Sequence, residues 1–452
     1  MSALEKALQH SKKIGIDECE IVKVKKKITT VRITDSEIVE IKQNFDESFG
    51  IRLIQDKKIA SIQTTNKEEI EKTIDTAFKT FSNLKTREFW GGLPHKTEYK
   101  VLIGTFDEKL DQISGSKSRD IAQNMINSSI NDKISAITGS LNIVSENFEL
   151  MNSNGLSFKD KATYISGLIN VESEYGETPV SGIGYANGRT LSNFSAEQIG
   201  TDAKTMCIES INPKKINPDS CSVIFEPYSV GEILAFVMAA NFNFKTFSEK
   251  RSCFSKHHEK EIAVEQFSLI DDPHIPDGIG TKSIDDEGII TKKRNLIEKG
   301  IFKNTYSNLF DSYKEGKQPT GNASRVGSPM GRSAEPIPMT APHNLKVIPG
   351  DQSQEEMIKE TKQGLLVGRL WYTYAVNPIK GDFSCTARSG IRIIKNGEII
   401  GPGRSVRIIH NLPTMMKNIS AIGKNSRNVI QWASLPSITP SLKAEDISVS
   451  PI

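Results

Sequence analysis

Strand-type runs closed by glycine turns constrain this chain more than any other feature. The stretch 283–322 reads SIDDEGIITKKRNLIEKGIFKNTYSNLFDSYKEGKQPTGN. It opens on an acidic, glycine-ended turn, Asp285-Asp286-Glu287-Gly288. Two β-type runs follow, 289–297 and 301–307, joined by the short connection Glu298-Lys299-Gly300. It closes on a second turn, Pro319-Thr320-Gly321-Asn322. Asn154-Gly155 and Asn396-Gly397 mark further hairpins, because both residue types accept positive φ. The first of these joins runs 142–151 and 156–171, the second 382–394 and 398–409.

Helical patterns lie apart from these runs. A first helix is predicted over 4–14. Asn66 with Glu69 reads as a capping box ahead of Ile70, Ile74, Ala77, Phe78, Phe81 and Leu84 at helical spacing. Further helices are predicted over 107–130, weakened at Gly115, over 195–210 and over 232–241. Ser353 with Glu356 predicts one running to about Val367. The stretch 178–190, rich in Gly and Pro, reads as a loop, as does 325–342 with its four prolines. Segregated strands and helices favour an α+β fold over a doubly wound sheet. A chain of 452 residues exceeds one ordinary core. Pro213, Pro218 and their charged neighbours place the boundary between domains at 217/218.

Lys+Arg 58 against Asp+Glu 55 gives +3, which offers nucleic acid no strong pull. The basic run Lys23–Lys27 alternates with apolar residues and reads as a solvated strand face. Cys19, Cys207, Cys221, Cys253 and Cys385 are scattered, with no CxxC pair, which suits reduced thiols in a cytosolic protein. No apolar run approaches the roughly 20 residues of a membrane helix, and the N-terminus lacks a signal-type apolar core.

The chemistry-bearing motifs are sparse. None of the 7 His begins HExxH or HExxxH. His257 and His258 are adjacent, so on a helix they point about 100° apart and share no ion easily. Asp271-Asp272 and Asp285-Asp286-Glu287 read as strand-capping turns before they read as hard-cation ligands. There is no GxSxG elbow and no phosphate loop; Gly182 and Gly184 stand in the predicted loop. Cys385, in a strand pattern, reads as a buried thiol.

Several segments in order resemble the TldD/PmbA (TldD/TldE) family. They are 283–322, QGLLV at 363–367, GDFS at 381–384, IIKNGEII at 393–400 and MKNISAIG at 416–423. The resemblance covers nearly the whole chain and is strongest over 223–424. It implies an N-terminal α+β domain, 1–217, and a C-terminal metallopeptidase-family domain, 218–452, built on a large curved, mostly antiparallel sheet. It also implies a dimer that encloses a cavity. TldD-type members carry HExxxH on the helix after a short strand and a proline. Here that helix follows Phe225-Glu226-Pro227, and the motif falls on AFVMAA. Ala235 stands for the first His, Phe236 for the Glu and Ala240 for the second His. The stretch 428–437, where a cysteine ligand is expected, has none.

Neither alanine nor phenylalanine holds Zn²⁺ or moves a proton. The chain therefore resembles the PmbA/TldE branch, which lacks the metal site. The resemblance implies no catalytic residue, metal ligand or cofactor in this chain. It implies zinc in a TldD-type partner and a joint peptidase acting on short or unfolded peptides. Asp285, Asp286, Glu287, Gly288, Thr320, Gly321 and Asn322 are candidates to line the cavity. Two other readings stand beside this one. One is a homodimeric peptide-binding or regulatory protein, where the family's gyrase-modulator label belongs. The other is a hydrolase with a different site in the same cavity.

Overall fold

The computed structural model describes residues 2–216, 220–431 and 435–452. The predicted boundary at 217/218 lies outside the described residues.

The first sheet has six antiparallel strands: β1 (Glu18–Thr34), β2 (Glu37–Gln55), β3 (Lys58–Thr64), β4 (Ala136–Asn152), β5 (Ser157–Ser173) and β6 (Val180–Gly188). Their order is β3-β2-β1-β4-β5-β6. Turn chemistry sets the registers. Asp35 and Ser36, then Asp56 and Lys57, all take positive φ, as two-residue hairpins require. Gly155 (φ 83°) turns β4 into β5 as its Asn-Gly pair predicts.

Helices Gly115–Ser129 and Ala196–Ile208 bury Ile121, Met125, Ile199 and Ala203 against this sheet. Helix Ala3–Lys13, closed by a Ser2–Glu5 capping box, and helix Ile70–Phe78 cover another apolar patch. Asn66 caps the turn before Ile70 through Glu68 N–H, not through a box with Glu69.

Four local expectations are corrected. The stretch 178–190 is not a loop but holds β6. Its glycines allow close packing: a Cβ on Gly184 would stand 1.8 Å from the Ile199 carbonyl oxygen, and one on Gly182 2.1 Å from that of Ala203. The helix predicted over 107–130 is broken, because Ser114 caps a new helix at Gly115. The helix capped by Ser353 ends at Lys359. The apolar residues Leu365–Val367 join strand Gln363–Asn377, which pairs on both sides. There tertiary pairing outweighs helical spacing. Lys26 is buried, not solvated: its Nζ donates to the Met330 carbonyl (2.7 Å) and lies 3.8 Å from Glu146.

The second sheet contains a closed ring of five strands. Ser220–Phe225 pairs with Gln363–Asn377, which pairs with Asp382–Lys395. That strand pairs with Val406–Asn411, which pairs with Ser437–Pro451, which returns to Ser220–Phe225. Most pairs are antiparallel; Gln363–Asn377 runs parallel to Ser220–Phe225. Asn396 and Gly397 take positive φ at the predicted hairpin. The run 398–409 splits into Glu398–Pro402 and Val406–Asn411, both on one edge of Asp382–Lys395. The architecture is α+β, with large, mostly antiparallel sheets. Helical residues 227–242 pack Val230, Ile233, Leu234 and Met238 into the same core as Phe225, Val367 and Leu442.

In 283–322 the strands are shorter than predicted, Arg294–Glu298 and Ile301–Phe302, with Lys299 and Gly300 in a positive-φ turn. The remainder is held by side chains, as the next section describes.

Candidate functional site

The helical segment 227–242 begins with Pro227 at its first position, where the missing N–H costs nothing. It does not stay α-helical. Leu234–Met238 forms a π turn and Ala239–Phe242 a 3₁₀ turn. Such a change leaves carbonyls without helical partners, and two side chains supply them. Asn241 Nδ2 donates to the carbonyls of Val237 (2.9 Å) and Met238 (3.3 Å). Tyr306 donates its hydroxyl proton to the Ala239 carbonyl (2.6 Å).

The π turn decides what faces what. On an α-helix, residues five apart diverge by about 140°, from about 100° per residue. A π turn, bonded from i to i+5, winds less per residue and narrows that divergence, so residues four and five apart both fall on one side. Ala235, Ala239 and Ala240 accordingly line one open cavity of 310 Å³. Phe236 and Met238 belong to the hydrophobic core instead. The positions matched to the two histidines thus share a cavity wall, and the position matched to the Glu does not.

Zinc does not fit this set. The methyl groups of Ala235 and Ala240 supply no donor, and the Phe236 ring supplies neither ligand nor base. Among the described residues, no group of three His, Cys, Asp or Glu is placed to hold a metal ion. His257, His258 and Glu259 lie exposed on the surface. Cys385 is buried in its strand, and burial pushes its thiol pKa up.

Across the cavity stand Lys282, Tyr306, Arg325, Arg332 and His343. Among the described residues, no Asp or Glu lines this wall. The acidic turn lies one layer behind it. Asp286 accepts twice from Lys282 Nζ (3.0 and 3.0 Å), once from Arg325 N–H (2.7 Å), and lies 3.2 Å from Arg332 Nε. Glu287 accepts from Arg52 Nη1 (2.6 Å) and Leu309 N–H (2.8 Å). Asp285 accepts from the N–H groups of Glu287, Ile289 and Ala323, which folds the turn around Gly288 (φ 94°).

The network crosses into the first sheet. Glu20 of β1 takes Arg52 Nη2 (2.9 Å) and Arg325 Nη2 (2.6 Å). Arg332 reaches Asp160 of β5 (2.6 Å) and Glu146 of β4 (3.5 Å). Glu20, Glu146, Asp160, Asp286 and Glu287 thus face Lys26, Arg52, Lys282, Arg325 and Arg332, a balanced set. Burial favours a proton on Asp286, but Lys282 and Arg332 outweigh it and hold its pKa low. For Glu287 burial prevails over Arg52, and its pKa is raised.

Thr320, Gly321 and Asn322 also stand behind the wall. The Gly321 carbonyl accepts from His343 Nε2 (2.7 Å). Thr320 donates to Asn322 Oδ1 (2.8 Å), and Asn322 Nδ2 donates to Asp271 (2.6 Å). Asp271, which burial pushes up to about 7, also accepts the N–H groups of His343 and Asn344. This cluster fixes the His343 ring. Its Nε2 carries the proton, because a carbonyl only accepts, so Nδ1 is the acceptor. Burial and Lys282 lower the ring's pKa to about 3, and it stays neutral.

Sequence reasoning missed Lys282, Tyr306 and His343 as wall residues. The spacing of Lys282 and Asp286 (i, i+4) was a usable signal for the first. No local pattern ties His343 or Tyr306 to a helix so far back in the chain.

Glu232, in the same helical segment, accepts Leu370 N–H (2.7 Å), and burial pushes it up to about 8 from 4.5. The folded state therefore holds this proton more tightly than the unfolded chain. Stability from this group falls as pH rises from about 4.5 to about 8, then levels. Glu232→Gln is expected to lose that slope: between pH 5 and pH 8 its urea midpoint falls less than the wild type's. Equal falls in both proteins would contradict the assignment.

Residues 218–451 match the family model described as PmbA/TldA metallopeptidase C-terminal domain. Residues 19–80 match the model for domain 1 of the same family. A metalloprotease PmbA of Escherichia coli O157:H7 is 26% identical over 262 residues, 57% of this chain and 53% of that protein. The crystal structure of TldE from Thermococcus kodakarensis has TM-score 0.89 at 22% identity, covering 99% of this chain and 100% of that one. A structure from Thermotoga maritima MSB8, described as a modulator of DNA gyrase, has TM-score 0.86 at 22% identity, covering 99% of each chain. At these identities the two structures establish a shared fold.

Proposed function

The chain belongs to the PmbA/TldD metallopeptidase family, and we propose that it is the non-catalytic, PmbA/TldE-type subunit of a two-subunit zinc peptidase. One observation carries this reading. Ala235, in the π turn, and Ala240, in the 3₁₀ turn that follows it, face the cavity where a metal-bearing relative would present its ligands, and neither has a donor. The backbone feature stands without the chemistry. A turn of this kind is costly unless something uses it, and in proteins it often marks a functional position.

In this reading the metal, the attacking water and the base reside on a TldD-type partner carrying HExxxH. This chain supplies cavity wall and completes a compartment for short or unfolded peptides. Exposed sheet edge in such a compartment holds an extended peptide through main-chain hydrogen bonds. No helix among the described residues is long and apolar enough to cross a membrane.

Tagged full-length chain, co-expressed with an HExxxH-bearing family member, is expected to recover it in equal amount through a salt wash. Recovery of a self-dimer alone, with the HExxxH protein left unbound, overturns the assignment and favours a homodimeric binding protein.

A further inference from the structure

The wall of the cavity is one-sided in charge. Lys282, Arg325 and Arg332 line it, and among the described residues no carboxylate does. Their counter-ions Asp286, Glu20 and Glu146 sit one layer behind, while Asp160 is partly exposed and borders an outer hollow rather than this cavity. Inside the cavity the nearer charges dominate, so its potential is positive although the network is balanced.

Lys282 is the cation best placed to act on a ligand. Two of its N–H groups go to Asp286, and among the described residues nothing accepts the third. It also borders an outer hollow of 420 Å³ lined by Lys159, Asp160 and Lys161, where basic groups outnumber the one carboxylate on the way to the cavity wall. Arg325 is already committed: its guanidinium donates to Glu20, to the Asp286 carbonyl and to the Glu335 carbonyl. Arg332 adds charge from within the wall; its Nη1 lies 3.5 Å from Glu146 and makes no hydrogen bond among the described residues.

Size narrows the ligand further. A cavity of 310 Å³ is at the lower end of the range for binding pockets, about 300–1,000 Å³. It has room for the end of a peptide and one adjoining side chain. Ile279, Met330 and Met339 supply apolar wall for a side chain beside that end. His343 Nδ1 has no partner among the described residues and is held as an acceptor by the bond from Nε2 to Gly321.

We propose that this cavity selects peptides by their C-terminal carboxylate, anchored on Lys282, with His343 Nδ1 accepting an N–H of the same peptide. The proposal rests on the peptide-holding reading above and adds which end is held.

A fluorophore-labelled, N-blocked Leu/Ala tetrapeptide, prepared as the free acid and as the C-terminal amide, tests it on the full chain and on its complex. The free acid is expected to bind at least about tenfold more tightly, with the gap narrowing as salt is raised. Lys282→Met is expected to weaken the acid to the level of the amide and leave the amide unchanged, while Lys282→Arg retains the preference. The acid–amide comparison on the wild type decides the matter even where Lys282→Met folds poorly. Equal binding of acid and amide overturns the carboxylate anchor and leaves the peptide-holding reading in place. Failure of both peptides to bind either preparation overturns the two together.

Discussion

Arg52→Ala is expected to destabilise the protein by about 3–5 kcal/mol, the usual cost of removing one partner from a buried ion pair. Arg52 is 2% exposed and bridges Glu20 and Glu287, each 1% exposed. Without it, Glu20 keeps Arg325, but Glu287 keeps only the N–H of Leu309. A buried carboxylate held by one amide is left beside Asp285. The urea midpoint should fall accordingly, and the loss should be greatest where Glu287 is ionised. Removing the two charges together, as Arg52→Met with Glu287→Gln, should recover part of it, because Glu20 keeps its pair with Arg325. The control is Lys159→Ala, whose partner Glu149 it meets at 70% side-chain exposure. That change should cost no more than about 0.5 kcal/mol. A small effect of Arg52→Ala would mean that the network does not tie the first sheet to 283–322.

Placing histidines at Ala235 and Ala240 should create a metal site where there is none. A four-ligand structural zinc site is worth about 10–16 kcal/mol, and half the ligand set supplies about 5–8 kcal/mol. That corresponds to a zinc Kd of about 1–200 μM. The comparison that matters is with Ala235→His/Ala239→His. On an α-helix only the i, i+4 pair converges; where the winding loosens into a π turn the i, i+5 pair converges as well. Competition against a zinc indicator should show both pairs binding, within about tenfold of each other. Zinc binding by Ala235→His/Ala239→His alone would mean that the segment is α-helical in solution and that its alanines do not mark a lost motif.

What the sequence made legible was local or carried by ordered motifs. Hairpins at Asn154-Gly155 and Asn396-Gly397 and the capping box of Ser353 each follow from two to four neighbouring residues, and the helix after Pro227 was placed by the ordered motifs. The α+β class follows from their segregation. What was hidden depends on partners far along the chain. Nothing near Gly182 and Gly184 shows that the helix containing Ile199 and Ala203 lies against them, so β6 read as a loop. Lys26 read as solvated because Glu146 and Met330 are distant in sequence. The acidic turn was noticed and placed on the cavity wall, whereas the structure sets Lys282, Arg325 and Arg332 in front of it. The π turn has no signature in AFVMAA. Only the freed carbonyls, capped by Asn241 and Tyr306, explain how it is held.

Zinc content and peptidase activity, measured together on the chain alone and on its complex with an HExxxH subunit, test the central claim most directly. The account predicts no stoichiometric zinc and no peptidase activity in the chain alone. It predicts one zinc and chelator-sensitive activity in the complex, both lost when the partner's HExxxH is altered. One zinc per chain with peptidase activity in the isolated protein would contradict it.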